Sequence, residues 1–188
     1  MKIVLLASGS GSLAQAIIDA KGAGDLDLEI LALVSDRDSQ VLQRATTEGI
    51  IAKLLPMTPD RESWDTQLVN YLSELKPDLV VSVGFMRILS RGFVEKFRTI
   101  NTHPALLPNF PGAHGVRDTL AAGVTKTGAT VHWVDSGVDT GAIIAQKEVE
   151  VLPEDDVLSL HERIKIAERA LIVETLKNFI ISGIPGRI

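Results

Sequence analysis

The segment INTHPALLPNF (residues 100–110) contains two side chains whose types and spacing could do chemistry. Asn101 and His103 are two positions apart, so on a β-strand they face the same side, about 6.6 Å apart along the chain. Histidine gives or takes a proton near neutral pH, and an asparagine amide can donate to a developing oxyanion. The prolines that follow stiffen the backbone. This combination indicates a chemical site.

A carboxylate that could orient the histidine lies in a later acidic loop. The loop DSGVDT contains Asp135 and Asp139, and Gly137 and Gly141 allow its backbone to approach other groups closely. The chain has no cysteine and no G-x-S-x-G nucleophile elbow. The residues therefore favour direct attack by a substrate amine on a carbonyl group, with the protein stabilising the tetrahedral intermediate. From spacing alone, a structural role for His103 stays open.

A glycine-rich loop, LLASGSGSLAQAI, lies between the first predicted strand and the first predicted helix. Its glycines allow tight turns, and the N–H groups at the helix start can bind an anion. The spacing Gly9-x-Gly11-x-x-Ala14 also fits the looser dinucleotide fingerprint, and Asp36 stands where a ribose-binding acid would lie. The loop predicts phosphate binding without selecting the ligand, so a nicotinamide-dependent dehydrogenase remains an alternative. A glycine turn that binds no ligand is a second alternative.

The elements that must position these residues alternate between strands and helices in the first half of the chain. Nearly continuous apolar runs predict parallel strands covered on both faces, at residues 2–8, 29–34, 50–55 and 78–84. The clearest helix runs from Arg61 to Lys76, with an apolar stripe of Trp64, Leu68, Tyr71, Leu72 and Leu75. Such strand–helix–strand repeats predict an open, mostly parallel α/β sheet.

The pattern changes in the second half. A helix at about 90–97 leads into a strand at 98–103, then the proline loop and a helix that begins near His114. Two runs joined by the short acidic loop, 128–134 and 141–151, predict an antiparallel pair near one sheet edge. A long helix follows from about Asp155 to Ser182, and its acidic start complements the helix dipole. No linker divides the sequence, so we predict a single domain over residues 1–188.

The composition narrows the class of protein. The chain has 188 residues, of which 45% are hydrophobic and 23% charged, as in soluble globular proteins. The net charge of -5 argues against a nucleic-acid partner, because phosphate neutralisation needs a basic surface. The apolar N-terminal run is too short for a signal peptide or a membrane span, and no histidine or carboxylate cluster predicts a metal site. We expect a cytoplasmic protein without metal or membrane partner.

Five motifs together resemble the formyltransferase family, in particular its members that act on glycinamide ribonucleotide. They are, in chain order, LLASGSGS, GFMRIL, NTHPALLPNFPGAHG, GATVHWVDSGVDTG and ERIKIAERAL, and the resemblance extends from Lys2 to about Ile180. It implies a Rossmann-like formyltransferase fold, a mostly parallel twisted sheet flanked by helices with an antiparallel edge. It also implies formyl transfer from 10-formyltetrahydrofolate to the amino group of 5'-phosphoribosylglycinamide in de novo purine biosynthesis.

The resemblance assigns roles to matching positions. The family's general acid matches His103, its formyl-oxygen ligand matches Asn101, and the aspartate that raises the pKa of its histidine matches Asp139. Positions that bind the ribonucleotide match Gly11, Ser12, Leu13, Lys165 and Glu168. Positions that bind the folate match Arg61, Met86, Arg87, Ile88, Leu89, Asn101, Asp135, Val138 and Asp139. The family commonly has asparagine at position 13, so a side-chain contact is lost there and the backbone role remains.

Several alternatives stay open. Without the resemblance, Lys165 and Glu168 would form a surface ion pair, Met86–Leu89 would pack in the core, and Arg61 would be a solvated helix-start residue. His132 alternates with apolar neighbours on a strand and is a candidate for a supporting role behind the site. Formyltetrahydrofolate deformylase and methionyl-tRNA formyltransferase share the Asn, His and Asp positions, but usually carry a further domain that we do not expect here. A non-catalytic sugar-phosphate sensor and a homodimer also remain possible.

Overall fold

The computed structural model describes residues 1–186 of the chain. The strands are β1 (Lys2–Leu6), β2 (Glu29–Ser35), β3 (Ala52–Leu54), β4 (Leu79–Ser82), β5 (Thr99–His103), β6 (Lys126–Trp133) and β7 (Ile143–Glu150). The helices are α1 (Ser12–Gly22), α2 (Gln40–Thr47), α3 (Arg61–Leu75), α4 (Arg91–Lys96), α5 (Gly115–Ala121) and α6 (Val157–Ser182). The predicted alternation of strands and helices is therefore present.

The chain divides into two compact units, Met1–Ile100 and Asn101–Ile188. Strand β5 crosses this boundary, so its first two residues belong to the first unit and its last three to the second. The interpretation of residues 1–188 as one domain stays a prediction, and residues 187 and 188 lie outside the described residues.

The first unit is built on parallel strands. Its strand order is β3-β2-β1-β4, with the start of β5 following β4. Strand β1 pairs in parallel with β2 and β4, and β2 pairs in parallel with β3. The β1 side chains Ile3, Val4, Leu5 and Leu6 are completely buried, as expected for a strand covered on both faces. The predicted parallel sheet is confirmed.

Three predicted strands end earlier than their apolar runs. The runs 2–8, 50–55 and 78–84 correspond to the shorter strands β1, β3 and β4. The buried residues Ala7 and Val83 follow the ends of β1 and β4, where the chain turns. Gly84 has a positive φ of 79° at the second of these turns, a conformation that favours glycine. Burial therefore continues past the ends of the strands, together with single backbone hydrogen bonds such as Ala7 N–H to Val34 O at 3.0 Å. The apolar pattern alone could not place the strand ends.

Helix α3 follows its predicted stripe with small changes. The Asp60 side chain caps its start by accepting from the Ser63 N–H. Trp64, Leu68 and Leu72 are buried, whereas the other two residues of the predicted stripe, Tyr71 and Leu75, are half-buried. The helix ends at Leu75 and not at Lys76, because Lys76 adopts a left-handed conformation with φ of 52°.

The second unit contains the antiparallel edge. Its strand order is β5-β6-β7, and β6 pairs antiparallel with β7 from Lys126↔Glu150 to His132↔Ile143. Strand β6 is buried over nearly its whole length, whereas β7 is mostly exposed, as expected for an edge strand. The prediction of a mostly parallel sheet with an antiparallel edge is confirmed, and β6 begins two residues before its predicted start at 128.

Helix α6 packs against this part of the sheet and against α5. Leu160 and Ile164 of α6 form a buried cluster with Val116 of α5. The helix begins at Val157, after Asp156, whose side chain accepts from the Ser159 N–H in a capping box. The predicted acidic residues therefore cap the helix and do not form its first turn. No helix within residues 1–186 is long and apolar enough to cross a membrane.

The close approach of β7 to Gly128 of β6 leads to a stability prediction. A Cβ atom placed on Gly128 would lie 2.0 Å from the carbonyl oxygen of Lys147. We expect Gly128→Ala to lower the free energy of unfolding by about 3 kcal/mol, because backbone must move to admit the methyl group. Gly92→Ala is the matched control, since a Cβ there meets no atom within 4 Å; its stability should stay within about 1 kcal/mol of wild type. Equal urea midpoints for the two variants would contradict this account.

Candidate active site

Strand β5 carries two of the predicted catalytic residues at its carboxyl end. Asn101 is half-buried, and His103 is buried with 3% of its surface exposed. Because Thr102 separates them, both side chains lie on the same face of the strand. The carboxyl ends of strands are the usual location of sites in open α/β sheets.

The imidazole of His103 contacts an acceptor at each nitrogen. Nδ1 lies 3.3 Å from Oδ2 of Asp139, and Nε2 lies 2.8 Å from the carbonyl oxygen of Phe110. A carboxylate and a carbonyl can only accept hydrogen bonds, so each can serve as acceptor to a ring nitrogen that carries a proton. Gly115 lies against the same ring, where a Cβ atom would approach Nε2 to 3.1 Å.

Asp139 is held in place by its backbone and by its neighbours. Its φ of 55° is left-handed, a conformation in which Asp and Asn are more common than most residues. The Gly112 N–H donates to its Oδ2 at 2.8 Å. Burial acts to raise the pKa of Asp139, but hydrogen bonds from His132 and Gly112 and the charges of His103 and His132 outweigh it and lower the pKa to about 2. The carboxyl group is therefore ionised at neutral pH.

The loop that presents Asp139 is tightly closed. The Asp135 carboxylate accepts from the Gly137 N–H at 2.9 Å and from the Thr140 hydroxyl at 2.7 Å. A Cβ atom on Gly141 would lie 1.8 Å from the Trp133 carbonyl oxygen, so only glycine fits there. Val138, at the outer part of the loop, is 47% exposed. Asp135 thus shapes the loop through internal hydrogen bonds, and Val138 presents an apolar surface to solvent.

His132 is the residue of this cluster that the predicted site did not include. Its Nδ1 donates to the Trp133 carbonyl oxygen at 2.8 Å, since a carbonyl can only accept. Its Nε2 lies 3.3 Å from Nδ2 of Asn101 and 3.4 Å from Oδ1 of Asp139. Nε2 therefore accepts from the amide when neutral and donates to the carboxylate when protonated. Its position on a strand beside the site was visible in the sequence, but its partners were not.

On α6, the two predicted ribonucleotide-binding residues have different surroundings. The Lys165 ammonium group pairs with Glu162 at 2.7 Å, so the surface ion pair at this position involves Glu162. Glu168 is buried, and burial raises its pKa to about 7 against the opposing effects of Lys165, Arg169 and Thr102. Thr102 lowers the pKa of Glu168 least among these groups. Its buried hydroxyl reaches no hydrogen-bond partner at normal distance and angle in the described part of the chain.

In the first unit, the glycine loop begins α1. Gly11 is the N-cap with φ of 78°, and a Cβ atom there would lie 2.2 Å from the Val41 side chain. Glycine is therefore required at this position for both conformation and space. Ser12 and Leu13 are the first residues of the helix, where N–H groups lack intrahelical partners. The Leu13 side chain is buried, so only its backbone is available to a ligand.

The segment Met86–Leu89 has no regular secondary structure. Met86 and Ile88 are 64% and 61% exposed, whereas Leu89 is buried, so the alternative of core packing holds for Leu89 alone. Arg61 donates to the Ile88 carbonyl oxygen and to the Asp65 carboxylate. Arg61 and this segment, predicted from separate parts of the sequence, are therefore in contact.

Asp36 does not have the free carboxylate that a ribose-binding acid needs. Its side chain is completely buried, and its oxygens accept from Arg37 and Arg87. This arrangement weakens the dehydrogenase alternative, because hydroxyl recognition requires an available acceptor. Within residues 1–186, no group of three or more His, Asp or Glu side chains is arranged to hold a metal ion.

Comparison with known proteins identifies the family to which this chain is similar. Residues 1–176 match the formyl transferase family. A phosphoribosylglycinamide formyltransferase of Mycobacterium tuberculosis is 46% identical over 187 residues, which cover 97% of this chain and 86% of that protein. Glycinamide ribonucleotide transformylase 1 from Symbiobacterium toebii is 37% identical with a TM-score of 0.94, covering 100% of this chain and 92% of that one. Phosphoribosylglycinamide formyltransferase from Bacillus halodurans is 34% identical with a TM-score of 0.93 and covers 100% of both chains.

These similarities confirm the predicted fold and the resemblance that the motifs indicated. They concern the chain as a whole and assign no role to an individual residue. By sequence and by structure, this chain belongs to the formyl transferase family.

Proposed function

We propose that this protein transfers a formyl group from 10-formyltetrahydrofolate to the amino group of 5'-phosphoribosylglycinamide in de novo purine biosynthesis. The family match confirms the prediction of a formyltransferase enzyme, and the relatives named for this reaction support the acceptor. The observation that carries the proposal is the contact between His103 and Asp139 beside Asn101, at the carboxyl end of β5.

The amide of Asn101 stabilises the oxyanion that forms when the amine attacks the formyl carbon. His132 accepts from one N–H group of this amide, and the second N–H remains for the substrate oxygen. An amide held by a neighbouring imidazole is oriented before the reaction begins. Such preorganised donors are the main electrostatic contribution in acyl-transfer sites.

The imidazolium of His103 supplies the second donor to the oxyanion. Its Nδ1 faces Asp139, while its Nε2–H donates to the Phe110 carbonyl, a partner that the substrate oxygen replaces. A new bond forms between the amine nitrogen and the formyl carbon. The bond between that carbon and the folate nitrogen then breaks, and the proton lost by the amine moves to the folate nitrogen.

Asp139 acts in this scheme as a fixed negative charge. With a pKa of about 2 it is a weak proton acceptor at neutral pH. It therefore orients the imidazolium and any water that relays the amine proton, and does not itself hold the proton between steps.

The proposed binding residues are those that the resemblance assigns. The backbone of Gly11, Ser12 and Leu13 binds the ribonucleotide phosphate, and Lys165 and Glu168 also bind the ribonucleotide. Arg61 and Met86–Leu89 bind the formyl donor, as do Asn101 and the acidic loop with Asp135, Val138 and Asp139. A carboxyl group with a pKa of about 7, such as Glu168, can both donate to and accept from ribose hydroxyls.

We further propose a cytoplasmic location and small-molecule substrates only, without a nucleic-acid or membrane partner. The absence of cysteine and the net charge of -5 support these proposals. A homodimer remains a prediction from the sequence.

The proposed reaction is tested by a spectrophotometric assay with 10-formyltetrahydrofolate as donor. Glycinamide ribonucleotide, free glycinamide and water are compared as acceptors. Turnover that requires the ribonucleotide supports the proposal. Equal rates of folate release with water alone would replace it with the deformylase alternative.

Removal of the proposed imidazolium donor should abolish most turnover. We expect His103→Ala to lower kcat about 100- to 1000-fold, because one oxyanion donor is lost, with little change in substrate Kd. His161→Ala, on α6, is the matched control and should retain near-normal kcat. Steady-state kinetics together with calorimetric binding of each substrate separate the two effects. Near-normal turnover of His103→Ala would remove the assignment.

The charge on Asp139 should also make stability depend on pH. Its folded pKa of about 2 lies below its ordinary value of 3.8, so the unfolded state binds more protons in this range. The ionised carboxylate therefore contributes about 2 kcal/mol above about pH 5, and this is lost as the pH falls toward about 2. Urea unfolding of wild type and Asp139→Asn should show a stability difference near neutral pH that shrinks at about pH 3. A difference that is constant with pH would contradict the proposed charge.

A further inference from the structure

The segment Met86–Leu89 belongs to no helix or strand, so its position depends on a few hydrogen bonds, here called tethers. The Met86 N–H donates to the Ser8 hydroxyl at 2.8 Å. Arg87 donates through Nε to Asp36 at 2.6 Å, and the Ile88 carbonyl accepts from Arg61. Only the Leu89 side chain is buried. The positions of the backbone N–H and C=O groups in this segment therefore depend on a few polar contacts.

Asp36 makes one of these contacts, the one with Arg87. It follows β2 directly and its side chain is completely buried, whereas Arg87 is 31% exposed. The same carboxylate receives Arg37 through Nη2 at 3.0 Å and Nε at 3.3 Å. Burial acts to raise the pKa of Asp36, but hydrogen bonds from Arg37, Ser8 and Arg87 lower it below its ordinary value. Asp36 therefore supports the segment through its contact with Arg87.

The charge balance explains why the position needs a carboxylate. Two guanidinium groups converge on one side chain, so an ionised Asp36 compensates both of them. A neutral side chain of the same shape would leave two like charges facing each other next to a buried polar group. We expect Arg87 to move away in that case, because it is partly exposed and can reach solvent.

We propose that Asp36 is a positioning residue for the formyl donor, which fixes the backbone of Met86–Leu89 by holding Arg87. The proposal rests on the proposed function, since it assumes that this segment binds the donor. Asp36 does not touch the substrate, because its carboxylate is completely enclosed. Its effect passes through the backbone edge that Met86 and Ile88 present.

Steady-state kinetics, with each substrate varied in turn, test the proposal by comparing the two KM values. Asp36→Asn should raise KM for 10-formyltetrahydrofolate about tenfold, because a charge-assisted hydrogen bond is lost from the donor-binding segment. KM for glycinamide ribonucleotide and kcat should stay within about twofold. An equal change in both KM values, or no change in either, would overturn the assignment.

Two further variants distinguish positioning from general destabilisation. Arg87→Met leaves Asp36 paired with Arg37 and should raise the donor KM as Asp36→Asn does, and the double variant should be no worse than either single one. If Asp36→Asn does not fold, Arg87→Met alone tests whether this contact controls the donor KM. Additive effects in the double variant would show that Asp36 does not act through Arg87 and would overturn the proposal.

The matched control is Asp155→Asn. Asp155 is 2% exposed and pairs with Arg163, which is 33% exposed, so this pair closely resembles Asp36 and Arg87 in burial. Neither residue is among those predicted to bind the donor. We expect Asp155→Asn to lower the midpoint of thermal unfolding without changing the ratio of the two KM values. A rise in donor KM equal to that of Asp36→Asn would identify the effect as loss of stability.

Amide hydrogen exchange separates failure of this proposal from failure of the proposed function. If the wild-type protein does not transfer formyl groups, the proposed function fails, but exchange of the Met86 amide still reports its tether to Ser8. We expect faster exchange at Met86 in Asp36→Asn than in wild type, with unchanged exchange in β1. Unchanged exchange at Met86 would overturn the positioning role whatever the enzyme's activity.

Discussion

The half-buried, ionised carboxylate of Asp139 makes the contacts on which the second unit's site depends. A charged oxygen in the interior is stable only where polar groups surround it. Here they are the Gly112 N–H, which donates at 2.8 Å, and the imidazole nitrogens of His103 and His132 at 3.3 and 3.4 Å. Each of these groups belongs to a different segment: the loop after β5, the end of β5 and β6. The charge therefore draws three parts of the chain to one point. The same contacts that stabilise the fold also orient the groups proposed to react.

Close packing of the backbone makes this convergence possible. Gly128 lets β7 approach β6, and Gly141 lets the acidic loop approach Trp133 more closely than any side chain would allow. Asp139 itself adopts a left-handed conformation, with Asp135 closing the loop around it. The irregular loop thus lies between an edge strand and a buried strand, and the register of their pairing shifts between Val131 and His132. The site has paired strands on one side and a short, tightly hydrogen-bonded loop on the other.

Much of this arrangement follows from local patterns in the sequence. The apolar runs predicted the parallel strands, and the two-residue spacing predicted that Asn101 and His103 share a face of β5. The ends of elements were less predictable, because Ala7 and Val83 are buried without belonging to strands. An acidic partner for His103 could be proposed from the sequence, but the partners of His132 and Asp36 could not. His132 contacts Asn101 and Asp139, and Asp36 is occupied by two arginines, through contacts between residues that are distant in the sequence.

Leu13 at the start of α1 has a consequence for how this protein can change. Its side chain is buried, so at this position the proposed anion site offers a main-chain donor and no side-chain donor. Amide protons of the main chain are present with any amino acid except proline. Substitutions at this position can alter packing yet leave the main-chain N–H groups in place. Mutation at position 13 should therefore change the affinity of the proposed anion site only slightly.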